Sequence, residues 1–231
     1  VTETGRIVVT VDGDRYEAQS WFGAGGGEWS TLGQERDGGW DTMVVDGTQI
    51  ACSADAVSLQ RSVLRRESHV EVRDSVRNLT DEDLALPFVN AVDIGGIEGL
   101  REFRISGQPQ RKFWANTKPQ VGRRLAATPV VYVERDGSAV GLVMEDDAYR
   151  NQGSMLCWDE TVALGNGMFY LQPGAEYTFV WKVFPLAEPG YYGLMNAIRA
   201  DWSLYQRIPG LFGFVHPQSE ERMYEDVRCE G

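Results

Sequence analysis

The chain has 231 residues, of which 42% are hydrophobic and 24% are charged, and its formal net charge is -12. This composition fits a globular protein of one large or two small domains, and it excludes collagen-like, coiled-coil and wholly disordered chains. No apolar run approaches the roughly 18 residues of a membrane span, and the excess of acidic residues argues against nucleic acids and anionic membrane surfaces as partners.

Turn residues recur along most of the chain and separate segments in which apolar and polar side chains alternate. This rhythm is typical of an all-β sandwich. In chain order the predicted strands are 6–11, 15–21, 40–45, 48–52, 54–65, 68–77, 84–92, 101–106, 129–134, 138–145, 154–158, 161–164, 168–171 and 175–185. The segments between these strands, above all 23–39 and 107–124, lack periodicity and are predicted to be loops.

The predicted strand 68–77 shows the alternation most clearly. Its polar side carries His69, Glu71 and Arg73, and its other side carries valines with one exception, Asp74. Because a carboxylate on a buried face needs a partner, Asp74 is predicted to be paired or to lie at a strand end.

One helix is predicted near the C-terminus, at about 190–205. Apolar side chains recur there at helical spacing, and they are Tyr191, Leu194, Met195, Ile198 and Trp202. The predicted fold class is therefore all-β, a large antiparallel β-sandwich with one C-terminal helix. We predict a sandwich domain at 1–210 and a tail at 211–231, or a linker to a further domain or partner.

Several segments together resemble a known family. Leu64 to Leu84 reads LRRESHVEVRDSVRNLTDEDL, Gly141 to Asp147 reads GLVMEDD, Leu171 to Pro185 reads LQPGAEYTFVWKVFP, and Tyr191 to Trp202 reads YYGLMNAIRADW. With these motifs, residues 55–205 resemble the galactose-mutarotase-like "supersandwich" domains of bacterial glycoside-hydrolase-like proteins. The resemblance implies a carbohydrate-processing context, usually with a catalytic domain downstream.

Aromatic and charged residues in the irregular segments are the candidate site. Trp29 and Trp40, together with Arg111 and Trp114, are predicted to line a saccharide cleft, because stacking rings and a charged hydrogen-bonding group suit a sugar. The alternative is that these loops pack on a neighbouring domain. His69 is the fifth candidate, since a mutarotase-type epimerase would use a histidine acid with a carboxylate base, and His69 and His216 are the only histidines.

Other chemistries find little support in the sequence. The cysteines, Cys52, Cys157 and Cys229, form no CxxC pair and are predicted to be thiols, and no metal site or cofactor is predicted. A nucleophile elbow is absent, and no spacing singles out a carboxylate pair for glycoside hydrolysis. The adjacent Asp146 and Asp147 are predicted to lie in a solvated turn.

The predicted function is that of a carbohydrate-associated β-sandwich domain, an accessory part of a glycoside-hydrolase-like protein that shapes or binds a saccharide. Two alternatives stay open: a self-contained sugar-active enzyme of the epimerase or lyase type, and a structural subunit-assembly domain that forms a homo-oligomer. The predicted partners are a saccharide and a catalytic domain or subunit. Val1 to Arg6 carries no signal-peptide pattern, which favours a cytoplasmic location.

Overall fold

The computed structural model describes residues 1–24, 29–34, 38–110, 115–117 and 128–204, with the backbone alone at 115–117. The strands are β1 (Ile7–Val11), β2 (Asp14–Gly23), β3 (Trp29–Leu32), β4 (Thr42–Asp46), β5 (Gln49–Ser53), β6 (Val57–Arg65), β7 (Val70–Asn78), β8 (Leu84–Ala85), β9 (Phe88–Asp93), β10 (Leu100–Ile105), β11 (Gln108–Pro109), β12 (Ala115–Thr117), β13 (Val130–Arg135), β14 (Ala139–Met144), β15 (Ser154–Trp158), β16 (Thr161–Asn166), β17 (Tyr170–Leu171) and β18 (Glu176–Leu186). The helices are α1 (Asp147–Gln152) and α2 (Tyr191–Asp201).

The strands form two large antiparallel sheets and one small one. Sheet A has seven strands in the order β1-β2-β9-β16-β15-β12, with β3 also paired to β2. Sheet B has nine strands in the order β11-β10-β13-β14-β18-β7-β6-β5-β4, and β8 pairs with β17 separately. The predicted all-β sandwich is confirmed.

Alternation along the strands builds the core between the sheets. Val72 and Val76 of β7 face inward from sheet B, and Val92 of β9 belongs to the same buried cluster from sheet A. Cys52 and Cys157, both predicted to be thiols, are buried in this core. Burial raises the pKa of the Cys52 thiol to about 12, so it behaves as a small apolar side chain.

Asp74, the charged exception on the apolar face of β7, forms an ion pair. Asp74 accepts hydrogen bonds at 2.6 and 2.8 Å from Arg61 of the neighbouring strand β6, and both side chains are fully buried. The prediction that Asp74 is paired is confirmed.

Several local features differ from the predicted elements. The segment 107–124, predicted as a loop, contains the short strands β11 and β12. The segment 23–39, predicted as a loop, contains strand β3, because its short alternation places Ser30 and Leu32 inward. Asp146 is the N-cap of α1 and accepts a hydrogen bond at 2.9 Å from the Tyr149 N–H, so a helix replaces the predicted turn. The single predicted strand 84–92 is divided into β8 and β9, since Pro87 has no N–H for a ladder.

Helix α2 confirms the predicted C-terminal helix but ends earlier, at Asp201. Its Leu194 packs over Gly141 of β14, where an added Cβ would lie 2.5 Å from the leucine methyl groups. The chain divides into two compact units, Val1–Met195 and Asn196–Gly231. The predicted division into 1–210 and 211–231 stays a prediction, because 205–231 lies outside the described residues.

None of the helices in the described ranges has the length and apolar character that crossing a bilayer requires.

Candidate functional site

The exposed aromatic side chain of strand β3 is the centre of the candidate site. Trp29 pairs with Gly23 of β2, and its side chain points away from the core because Ser30 and Leu32 take the inward positions. The indole remains 45% exposed although most large aromatic side chains are buried. It lines a groove of about 730 Å³, a volume typical of small-molecule sites.

Trp40 lies in the core, 8% exposed, and does not reach the surface that the sequence suggested. Its indole N–H donates a 3.0 Å hydrogen bond to the carbonyl oxygen of Thr31, and its ring lies 6.1 Å from that of Phe22. The Ser30 hydroxyl also donates to the Gly39 carbonyl at 2.9 Å. Trp40 therefore holds β3 in place and so helps to position Trp29.

The groove is also lined by an acidic loop, which we define as Thr80–Asp83. The Asp81, Glu82 and Asp83 side chains are all exposed, and they face a groove whose other described lining residues are mostly small or apolar. Carboxylates beside an exposed indole offer hydrogen-bond acceptors next to a stacking surface, which is the combination that a sugar with its hydroxyl groups needs.

A buried asparagine sets the shape of the acidic loop. The Asn78 side-chain amide donates to the carbonyl oxygens of Glu82, Leu171 and Gln172 at 2.7, 3.0 and 3.1 Å. Its side-chain oxygen accepts the Thr80 N–H at 2.8 Å. One side chain thus joins the acidic loop to the strand pair β8–β17.

A second exposed ring borders the groove. Tyr170 of β17 lies directly opposite Ala85 of β8, and Ala85 lines the groove. Opposite residues of an antiparallel pair place their side chains on the same face, about 5 Å apart at Cβ. Tyr170, which is 66% exposed, therefore stands beside the groove. No local sequence pattern indicates Tyr170 as a site residue, because the pairing of two distant segments brings it there.

His69 lies at the other end of the sandwich. It precedes β7, whereas the acidic loop follows β7, and a nine-residue strand spans about 26 Å. The histidine is 5% exposed, and its ring stacks on Phe184 at 4.8 Å between centroids. The structure therefore does not bring His69 together with Trp29.

Charged side chains accompany His69 on the outer face of sheet B. Lys182 lies opposite Glu71 in the ladder and forms an ion pair with Glu145 at 3.2 Å. Burial would raise the pKa of Glu71, but hydrogen bonds and positive charge from Arg73 and Arg66 outweigh burial and hold that pKa below its ordinary value. Glu71 is therefore ionised at neutral pH and serves as an ion-pair partner.

The two remaining predicted site residues, Arg111 and Trp114, lie outside the described residues. In the described ranges, no group of three or more His, Cys, Asp or Glu side chains is arranged to hold a metal ion.

In fold, the chain belongs to the class of all-β proteins built from two stacked antiparallel sheets. No protein-family model and no curated protein matches its sequence.

Two of the solved structures similar to the chain are a galactose mutarotase-like protein and a candidate aldose 1-epimerase. A galactose mutarotase-like protein from Lactobacillus casei ATCC 334 is 13% identical with a TM-score of 0.41, and the match covers 80% of this chain and 95% of that one. A candidate aldose 1-epimerase from Escherichia coli K12 is 11% identical with a TM-score of 0.43, over 81% of this chain and 82% of that one. These likenesses concern the fold alone.

A polysaccharide lyase is 16% identical with a TM-score of 0.42, and the match covers 74% of this chain. The chain spans 26% of the length of that lyase.

Proposed function

We propose that this chain is a carbohydrate-associated β-sandwich domain that binds a saccharide in the Trp29 groove. The observation that carries the proposal is the exposed indole of Trp29 in a groove walled by the acidic loop. A sugar ring presents an apolar C–H face that can cover the indole, while its hydroxyl groups donate to the carboxylates of the loop. Tyr170 offers a second ring beside the same groove.

The proposal includes an accessory role in a glycoside-hydrolase-like protein, which rests on the sequence resemblance described above. It also includes Arg111 and Trp114 as residues of the saccharide site. The Trp114→Ala variant tests the role of Trp114. Its saccharide affinity is measured in the same assay as that of Trp29→Ala.

Replacing Trp29 by alanine is expected to weaken saccharide binding by roughly 10- to 30-fold, the loss typical of a central aromatic contact. The measurement is a glycan-array screen followed by calorimetric titration with the glycans that bind. Tyr192→Ala is the matched control, because Tyr192 is a highly exposed aromatic side chain that does not line the groove. Equal affinities of the wild type and Trp29→Ala for every bound glycan would refute the proposed site.

The acidic loop is expected to discriminate between glycans by charge. Three carboxylates in the groove repel the carboxylates of uronic acid glycans, so neutral and amino-sugar glycans should bind more tightly. Substituting Asp81→Asn, Glu82→Gln and Asp83→Asn together should reduce this discrimination severalfold while leaving Trp29 in place.

Affinities for uronic acid glycans and neutral glycans are compared at low and high salt. Screening by salt should weaken the repulsion between the acidic loop and uronic acid glycans in the wild type. If the wild type binds uronic acid glycans as tightly as neutral ones at low salt, the acidic loop does not contact the ligand.

A further inference from the structure

The indole of Trp29 borders two depressions rather than one. The first is the acidic groove already described. The second, which we call the glycine hollow, is a cavity of about 180 Å³. Both depressions share Trp29 and Pro87. The glycine hollow is further lined by Phe88, Val89, Ser154, Leu156, Gly165, Asn166 and Gly167.

The glycine hollow exists because two of its lining residues, Gly165 and Gly167, lack side chains. Gly165 of β16 lies between Ser154 of β15 and Val89 of β9 in the ladders of sheet A. A Cβ at Gly165 would lie 3.2 Å from Leu156 and from the Phe88 carbonyl oxygen, so a side chain would crowd this floor. At Gly167, in the turn after β16, an added Cβ would meet nothing within 4 Å.

The two depressions differ in chemistry. The acidic groove offers three carboxylates, whereas the glycine hollow is lined mainly by apolar residues and glycines, with Ser154 as a partly exposed polar residue. The volume of the hollow, about 180 Å³, is below the roughly 300 Å³ that is the lower end of the range for separate ligand pockets. It is therefore suited to extend a neighbouring site by one more unit of the same ligand.

We propose that the ligand of the Trp29 groove is a linear oligosaccharide that crosses the indole, with one terminal sugar in the glycine hollow and the following sugars along the acidic groove. This inference rests on the proposed function and specifies its ligand. A single sugar can occupy only one side of Trp29, whereas a chain that passes over the ring contacts both depressions. Each additional sugar buries further surface without a second loss of translational freedom, so affinity grows with chain length.

The test is a chain-length series of linear neutral oligosaccharides, from one to six sugars, in the glucan, xylan, mannan and chitin series. For at least one series, the wild type should gain fivefold or more in affinity between the single sugar and the chain that reaches both depressions. Gly167→Phe should fill the hollow and remove that gain. Gly167→Ala is the matched control, because a methyl group leaves the hollow open.

The outcomes separate the two proposals. Trp29-dependent binding without any dependence on chain length in the wild type would overturn this inference and leave the proposed function standing. An unchanged length dependence in a folded Gly167→Phe variant would also overturn it, by removing the hollow from the site. If none of the oligosaccharides in the four series and none of the glycans on the array binds, both proposals fail.

Discussion

Replacing Asp74 by alanine is expected to lower the free energy of unfolding by about 3–5 kcal/mol, the usual cost of removing one partner of a buried ion pair. The reason is that Arg61 would keep its positive charge in a site from which water is excluded. Both side chains are fully buried, and Asp74 accepts two hydrogen bonds from the guanidinium group. The cost of an unpaired buried charge exceeds that of a lost surface contact several times over.

The same pair also joins the two sheets. Arg61 and Asp74 belong to sheet B, and the guanidinium donates a 2.7 Å hydrogen bond to Ser20 of sheet A. The Ser20 hydroxyl in turn donates to Asn90 at 2.6 Å, also in sheet A. On the other side, the Trp181 indole N–H donates to Asp74 at 3.1 Å. Loss of Asp74 therefore disturbs a hydrogen-bonded network that spans the core.

Urea denaturation of three variants measures this effect. Asp74→Ala and Arg61→Met should each be strongly destabilised, while the double variant should recover much of the loss because no charge is left unpaired. Arg15→Ala is the surface control, since the Arg15–Glu17 ion pair has a mostly exposed arginine and should contribute less than about 1 kcal/mol. Equal costs for Asp74→Ala and Arg15→Ala would contradict the argument.

The positions of most strands follow from local patterns in the sequence, and the pairing of Asp74 was predictable in outline. The sequence also contains a signal that identifies Arg61 as the partner of Asp74. Strand β6 has buried Leu59 and Val63 on either side of Arg61, so both neighbouring strands carry one charged exception on their apolar faces. The hairpin register places Arg61 directly opposite Asp74. Opposite charges at facing positions of one hairpin are a signal that a sequence contains.

The candidate site was only partly predictable. Trp29 stands in a segment with too few residues to reveal strand β3 by alternation, and its exposure follows from pairing with β2. Trp40 also follows glycine residues but lies in the core, where its N–H donates to the Thr31 carbonyl. Tyr170 enters the site through the pairing of β8 with β17, two segments far apart in the sequence. Such long-range register is set by the whole sandwich, and no local pattern records it.

Substitution of Asn78 by aspartate is expected to lower both the stability of the fold and the affinity for a saccharide. Asn78→Asp keeps the shape of the side chain but removes the amide that donates to three carbonyl oxygens. A buried carboxylate would then face those oxygens without a donor, which should cost about 3 kcal/mol of unfolding free energy. Because Asn78 joins the acidic loop to β8–β17, the variant should also lose most of its saccharide affinity.

The measurement combines urea denaturation with titration of a glycan that binds the wild type. Asn151→Asp is the matched control, because the Asn151 amide is exposed and donates to the Asp147 carbonyl, so its replacement should cost less than about 1 kcal/mol. Loss of stability with unchanged glycan affinity would show that the ligand does not depend on the position of the acidic loop. If affinity falls in the folded variant, the buried amide is a positioning residue for the groove, although it lies beneath the surface that the saccharide would touch.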